Sequence, residues 1–270
     1  MAAEEHHMPF IRNLASSNRK LRTASLDSLR AFLAARQAGA ALPALAVLQL
    51  WKGLFYAVWM CDGAVPQQAL CDALAGPVLG ALAPRAVAPW LRGFWATMAR
   101  EWAAVDARRL DKFMLLVRRL LGASFAWMRR AEGAAPGRWD VERTAAVLAL
   151  LADWPLAREE TQRPTDPDFG ALAPPNAPVG LKLHVLDIWV DEAEKAGLLD
   201  PADEQAQSIL RQIIDMVDEL EKATTSPAVR KRCKESLADD RLPGAGGAAA
   251  GAAGEMADAA EYSSWDGFED

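Results

Sequence analysis

Cysteine, histidine and tyrosine are scarce in this 270-residue chain, which has three, three and two of them. Cys61, Cys71 and Cys233 are odd in number, far apart and form no Cys-x-x-Cys pair. That excludes a disulfide framework or a zinc knuckle as the organising device and fits a reducing compartment. Histidine is confined to His6 and His7 near the start and to His184. Without a Gly-x-Ser-x-Gly elbow, a Ser or Cys triad lacks both its nucleophile turn and a supply of bases. His184 precedes Asp187 by three residues on a predicted helix, where a local structural pair is the better reading than a catalytic dyad. A Walker A loop and a Rossmann glycine fingerprint are also missing. No second cluster completes a metal site with His6 and His7, and the neighbouring acids Glu159 and Glu160 read as a solvated loop. The expectation is a non-enzyme with no catalytic residue, cofactor, metal or small-molecule substrate.

Long apolar runs are absent too. The richest stretch, residues 38–60, is interrupted by Pro43, Gln49, Lys52 and Gly53 and has helical periodicity, so it does not read as a membrane span. Residues 1–8 hold Glu4, Glu5, His6 and His7 rather than a basic region followed by an apolar one, which is not the pattern of a secretory signal.

What the chain does have is 51% hydrophobic and 24% charged residues, enough for a core, with abundant Ala, Leu and Arg that favour helix. Val47, Leu50, Trp51, Leu54, Phe55, Val58 and Trp59 recur at spacings of three and four and form one helical stripe. Trp90, Leu91, Phe94, Trp95, Met98, Trp102 and Val105 form a second, and Leu110, Phe113, Met114, Val117, Leu120 and Leu121 a third. Such aromatic stripes read as packing. Further periodic runs cover 9–21, 25–36, 67–82, 141–153, 181–199 and 205–222, predicting about ten helices and an all-α fold. Helical hairpins about every ~40 residues suit an irregular HEAT- or armadillo-like array, an α-solenoid; a closed helical bundle is the alternative. The folded domain is expected over 9–238. Within it, 159–178 is a proline-broken loop. Residues 243–270, a Gly/Ala tract and an acidic end, hold too little apolar surface to fold and read as a disordered tail. Tyr262, Trp265 and Phe268 among its acids resemble a short docking motif, although an unused solvated tail is the better reading.

The net charge of -6 hides a polarity: residues 9–60 carry +6, residues 92–143 carry +5, and residues 187–270 carry -12. Local potential governs long-range attraction more than the total does. At ~100° per residue, Arg108, Lys112 and Arg119 share a narrow arc flanked by Arg109 and Arg118, which predicts an exposed basic ridge. Asp106 and Asp111 stand near enough to absorb part of it. Arg12, Arg19, Lys20 and Arg22 form a second basic set with no adjacent acid. Either set suits RNA phosphate or an acidic protein segment; ordinary solvated helix faces are the competing reading.

Four stretches resemble the ribosomal RNA processing protein 1 family: FIRNLASSNRKLRTASLDSLRAFL (10–33), LWKGLFYAVWMCD (50–62), FWATMAREWAAVDARRLDKFMLLVRRLL (94–121) and PVGLKLHVLDIWVDEAEKAG (178–197). The second and third carry it best, through their order of Trp, Lys-Gly and aromatics and then Arg-Glu-Trp and Arg-Leu-Asp-Lys-Phe. The resemblance spans about residues 9–222. It implies a non-enzymatic helical-repeat factor of the nucleolus that binds pre-large-subunit (pre-60S) particles. Its implied partners are other large-subunit assembly factors and pre-rRNA or its particle, with no membrane and no small-molecule substrate. Many members of that family have a long basic C-terminal extension, whereas this sequence closes in an acidic one. On this reading Arg12, Arg19, Lys20, Arg22, Arg108, Arg109, Lys112 and Arg119 are the candidate contacts for RNA or partner. The alternative is a general helical-repeat adaptor that binds a peptide without RNA, and an enzyme with an unrecognised site is the third class.

Overall fold

Asn18 sets where the first helix begins. Its Oδ1 accepts from the amides of Lys20 at 2.9 Å and Leu21 at 3.4 Å, satisfying donors that a helix start leaves open. Helix α1 therefore runs Arg19–Ala35 without interruption, where the sequence pattern suggested two runs meeting near residue 23. The computed structural model describes residues 13–14, 16–36, 42–129, 139–158, 167–170, 172 and 176–243. Residues 9–12 of the run expected over 9–21 and residues 244–270 of the tail expected over 243–270 lie outside them.

Pro43 precedes α2, Ala44–Trp59, and a left-handed Gly63 turns the chain into α3, Ala64–Ala73. This helix continues into a π turn at Leu74–Val78 that holds Pro77, a residue with no amide to contribute to the shifted hydrogen-bond ladder. Pro84 occupies the first turn of α4, Pro84–Glu101, where a missing amide costs nothing. A short 3-10 turn at Trp102–Ala104 separates it from α5, Ala107–Trp127. The second stripe, read as one helix through Val105, is thus split after Glu101. Beyond α5 come α6, Val141–Asp153, a helical turn at Pro167–Gly170 inside the proline-broken segment, α7, Val179–Ala196, α8, Glu204–Ala223, and α9, Pro227–Leu237. The last was not foreseen. Among the described residues there is no strand, only an isolated bridge between Arg129 and Trp139. The fold is all-α.

The helices pack in two rows. In one, α2 lies on α4, α4 on α6 and α6 on α8; in the other, α3 lies on α5, α5 on α7 and α7 on α9. Packing of each helix on the next but one is consistent with an irregular α-solenoid. The stripes face inward as expected. Trp51 meets Trp90 and Phe94 with centroids 5.0 and 5.1 Å apart, and its Nε1 donates to Trp90 O at 2.8 Å. Phe55 stacks on Phe113 at 4.5 Å, joining α2 to α5. Gly93 lets α2 and α4 approach closely, because a Cβ there would overlap Val47 and touch Trp51 at 3.0 Å. Gly197, left-handed with φ of 81°, ends α7, in a conformation that costs other residues energy.

All three cysteines are buried and unbridged. Burial pushes the Cys71 thiol up to about 12 and that of Cys233 up to about 11, so both are poor nucleophiles in the folded chain.

Candidate RNA- or partner-binding surface

The two basic sets, some ninety residues apart in sequence, meet around the C-terminal end of α2. From one side come Arg19 and Arg22 of α1, which line a cleft of about 200 Å³ together with Leu14, Leu26, Cys61 and Leu70. From the other comes the start of α5. Asp106 caps that helix by accepting from the Arg108 amide at 3.0 Å and pairs with the Arg109 guanidinium. Desolvation works to raise the Asp106 carboxyl, but the hydrogen bond and charge of Arg109, with the backbone amides, carry it below the ordinary carboxylate value. The same guanidinium sits 4.7 Å from the centroid of the half-buried Trp59 ring, a cation–π contact.

The predicted ridge needs one correction. Lys112 is only 5% exposed; its Nζ donates to Trp59 O at 2.7 Å and to Cys61 O at 2.9 Å. These are carbonyls at the end of α2, where the helix has no further amides to offer them. Desolvation lowers the Lys112 ammonium from its ordinary value, while Asp62 acts to raise it. Lys112 is therefore a buried cap and does not reach a ligand. Its aliphatic stem lies along the core face with Leu116 while only the charged tip seeks oxygen, a behaviour that helical-wheel arithmetic cannot separate from exposure.

The remaining candidates divide by what they touch. Arg119 is paired with Asp72 of α3 at 2.7 Å. Arg22 Nη1 donates to Ser16 O at 2.8 Å and Ser17 O at 2.9 Å, tying down the segment before α1. Arg19, Lys20 and Arg108 are exposed and make no side-chain ion pair among the described residues. Arg12 lies outside the described residues. Arg118, on the flank of the ridge, bridges to Asp191 at 2.5 Å and to the buried Glu192 at 2.7 Å, locking α5 to α7. Sequence reasoning missed the exposed end of α2, where Lys52, Tyr56 and Met60 stand one turn apart and open to solvent. Their spacing of four was the available signal.

His184 does not bond Asp187. Its Nε2 donates to Met114 O at 2.9 Å, its ring stacks on Trp102, and Asp187 pairs with Arg232 of α9 instead. The arrangement is a helix-to-helix tie between α7 and α5. Among the described residues no group of three His, Cys, Asp or Glu side chains is placed to hold a metal ion, and no helix is long and apolar enough to cross a membrane.

Comparison with known proteins agrees with the sequence resemblance. The chain is 33% identical over 199 residues to a mouse protein named ribosomal RNA processing protein 1 homolog A, covering 73% of this chain and 36% of that one. It is 29% identical over 199 residues to human ribosomal RNA processing protein 1 homolog B, covering 73% and 23%. The Drosophila melanogaster homolog is 26% identical over 216 residues, covering 77% and 27%. The chain thus matches about a quarter to a third of the length of these relatives. The model of the family described as nucleolar protein, Nop52, matches residues 5–266, and with nearly the whole sequence matched the chain belongs to the Nop52 family.

Proposed function

We propose that this chain is a non-enzymatic ribosome-biogenesis factor of the nucleolus, whose helical domain over 9–238 docks on pre-60S particles and supports rRNA processing. The relatives' names support a role in rRNA processing, and the family description supports the nucleolus. The observation that carries the mode of action is a set of exposed cations without an ion pair among the described residues: Arg19, which lines the cleft at the end of α2, its neighbour Lys20, and Arg108 at the start of α5. Cations held at the surface by rigid helices neutralise phosphate without reading sequence, and their binding weakens as salt rises. Arg12 extends this set in the sequence, while Arg109, Arg119 and Arg22 contribute charge already shared with protein partners.

The partners are other large-subunit assembly factors and pre-rRNA. A pull-down of the tagged chain from nucleolar extract, with RNA and proteins identified before and after nuclease at two salt concentrations, tests this. Recovery of large-subunit precursor RNA with assembly factors is the expected result, and recovery of neither overturns the reading. The apolar cleft beside Arg19 favours a second reading, a peptide-binding adaptor; assembly factors that persist after nuclease without RNA select it.

A further inference from the structure

The cleft between α1, the end of α2 and α3 has a chemistry of its own. Its walls are apolar, with Leu14, Leu26, Ala57, Leu70 and Ala73, and its rim is basic, with Arg19 and Arg22. Lys20 stands beside the rim and is exposed. The nearest acid on α3, Asp72, has its charge taken by Arg119, and Asp62, which follows the cleft-lining Cys61, is offset by the Lys112 ammonium. The opening therefore favours a ligand that is both acidic and aromatic.

Residues 255–270 of the chain, EMADAAEYSSWDGFED, are such a ligand: six acids, no base, and Tyr262, Trp265 and Phe268 every third residue. We propose that this segment docks in the cleft of its own chain, an aromatic side chain entering between Leu26 and Leu70 while the acids face Arg19, Lys20 and Arg22. The charge of the rim selects it over the other nearby segment, residues 9–12, which has apolar Phe10 and Ile11 but brings the cation Arg12.

Reach permits it. The cleft lies at the α3 end of the row α3, α5, α7, α9, and Pro243 follows α9 at the other end. Three helix-to-helix steps of ~10 Å amount to roughly 30 Å, whereas the stretch from Pro243 to Tyr262 spans up to roughly 60 Å when extended. The Gly and Ala between them put no bulk in the way. The docking stands without the RNA reading; only a competition between the segment and RNA for the same cations depends on it.

The experiment uses the full chain. A photo-crosslinking phenylalanine analogue at position 265 is activated at low protein concentration, and the crosslinked peptides are mapped. Crosslinks to 19–26 or 66–73 of the same chain are expected; crosslinks confined to other surfaces, or only between chains, overturn the proposal. In a second arm, a fluorescent peptide of residues 255–270 is titrated into the full-length variant Tyr262→Ala/Trp265→Ala/Phe268→Ala, whose own segment has lost its anchors. It should bind at least tenfold more tightly than to the unmodified chain, with affinity falling as salt rises. Adding Arg19→Glu or Ala69→Trp at these exposed positions should abolish the binding, with an unchanged circular-dichroism spectrum as the folding control. Peptide binding that ignores both substitutions, or no binding to the anchorless variant, overturns the proposal, whatever the chain does with RNA.

Discussion

Lys112 Nζ donates to Cys61 O at 2.9 Å across fifty-one residues of sequence, and in doing so closes the C-terminus of α2 from the side of α5. A cation read as a ligand for phosphate is in fact the ligand of a helix end.

The substitution Lys112→Met, which keeps the stem and removes the donor, should therefore act on stability. The half-buried Trp59 carbonyl would lose its partner while Cys61 O would keep only Gln67 Nε2 at 2.9 Å, at a cost of about 1 to 3 kcal/mol. Thermal or urea unfolding checks the loss, and RNA affinity of the folded fraction should not change.

Gly93→Ala places a methyl group against Val47 and Trp51. Forcing apart two well-packed helices costs about 1 to 3 kcal/mol, although alanine is the better helix former in isolation. Lower urea midpoints at unaltered helical content are the expected outcome.

His184 gives the fold an acid-sensitive tie. Burial holds its pKa below the ordinary 6.5, against the Met114 carbonyl and Asp187, which act to raise it, while Arg118 lowers it further. With Nε2–H given to Met114 O, Nδ1 has no partner among the described residues, so a second ring proton has no acceptor. The unfolded chain takes up that proton first; stability is full above pH ~6.5 and falls as the pH drops through the lowered value of the folded state. His184→Gln, which retains a donor without titrating, should flatten this part of the stability–pH curve.

The triple reversal Arg19→Glu/Lys20→Glu/Arg108→Glu should leave the circular-dichroism spectrum and melting unchanged, since these side chains are exposed. Association with RNA should weaken, and the slope of log affinity against log salt should shrink by about 0.7 for each single-strand phosphate that is no longer neutralised. An unaltered slope would remove these residues from the binding surface.

How far the sequence could be read follows from what each helix buries. Residues 141–153 matched α6 to the residue, because Val147, Leu148, Leu150 and Leu151 make one apolar face. α9 escaped because its eleven residues, PAVRKRCKESL, show only Val229, Cys233 and Leu237 at spacings of four. Its place is fixed by others, with Trp189 Nε1 donating to Ser236 Oγ at 2.6 Å and Asp187 pairing with Arg232. The basic surface was legible as charge but not as geometry. Whether an arginine faces water, as Arg108 does, or is spoken for, as Arg119 is by Asp72, depends on a helix distant in sequence.

The buried thiols turn the two-row packing into something that can be timed. Cys61 and Cys71 stand near one end of the rows and Cys233 near the other, all at most 6% exposed. An alkylating reagent reaches each only when its own neighbourhood opens, and in a chain where helices lean chiefly on near neighbours those openings need not coincide. Opening of the α1–α3 end, marked by Cys61 and Cys71, can be timed apart from opening around α9, marked by Cys233. Each cysteine then acts as a clock for its own end of the molecule.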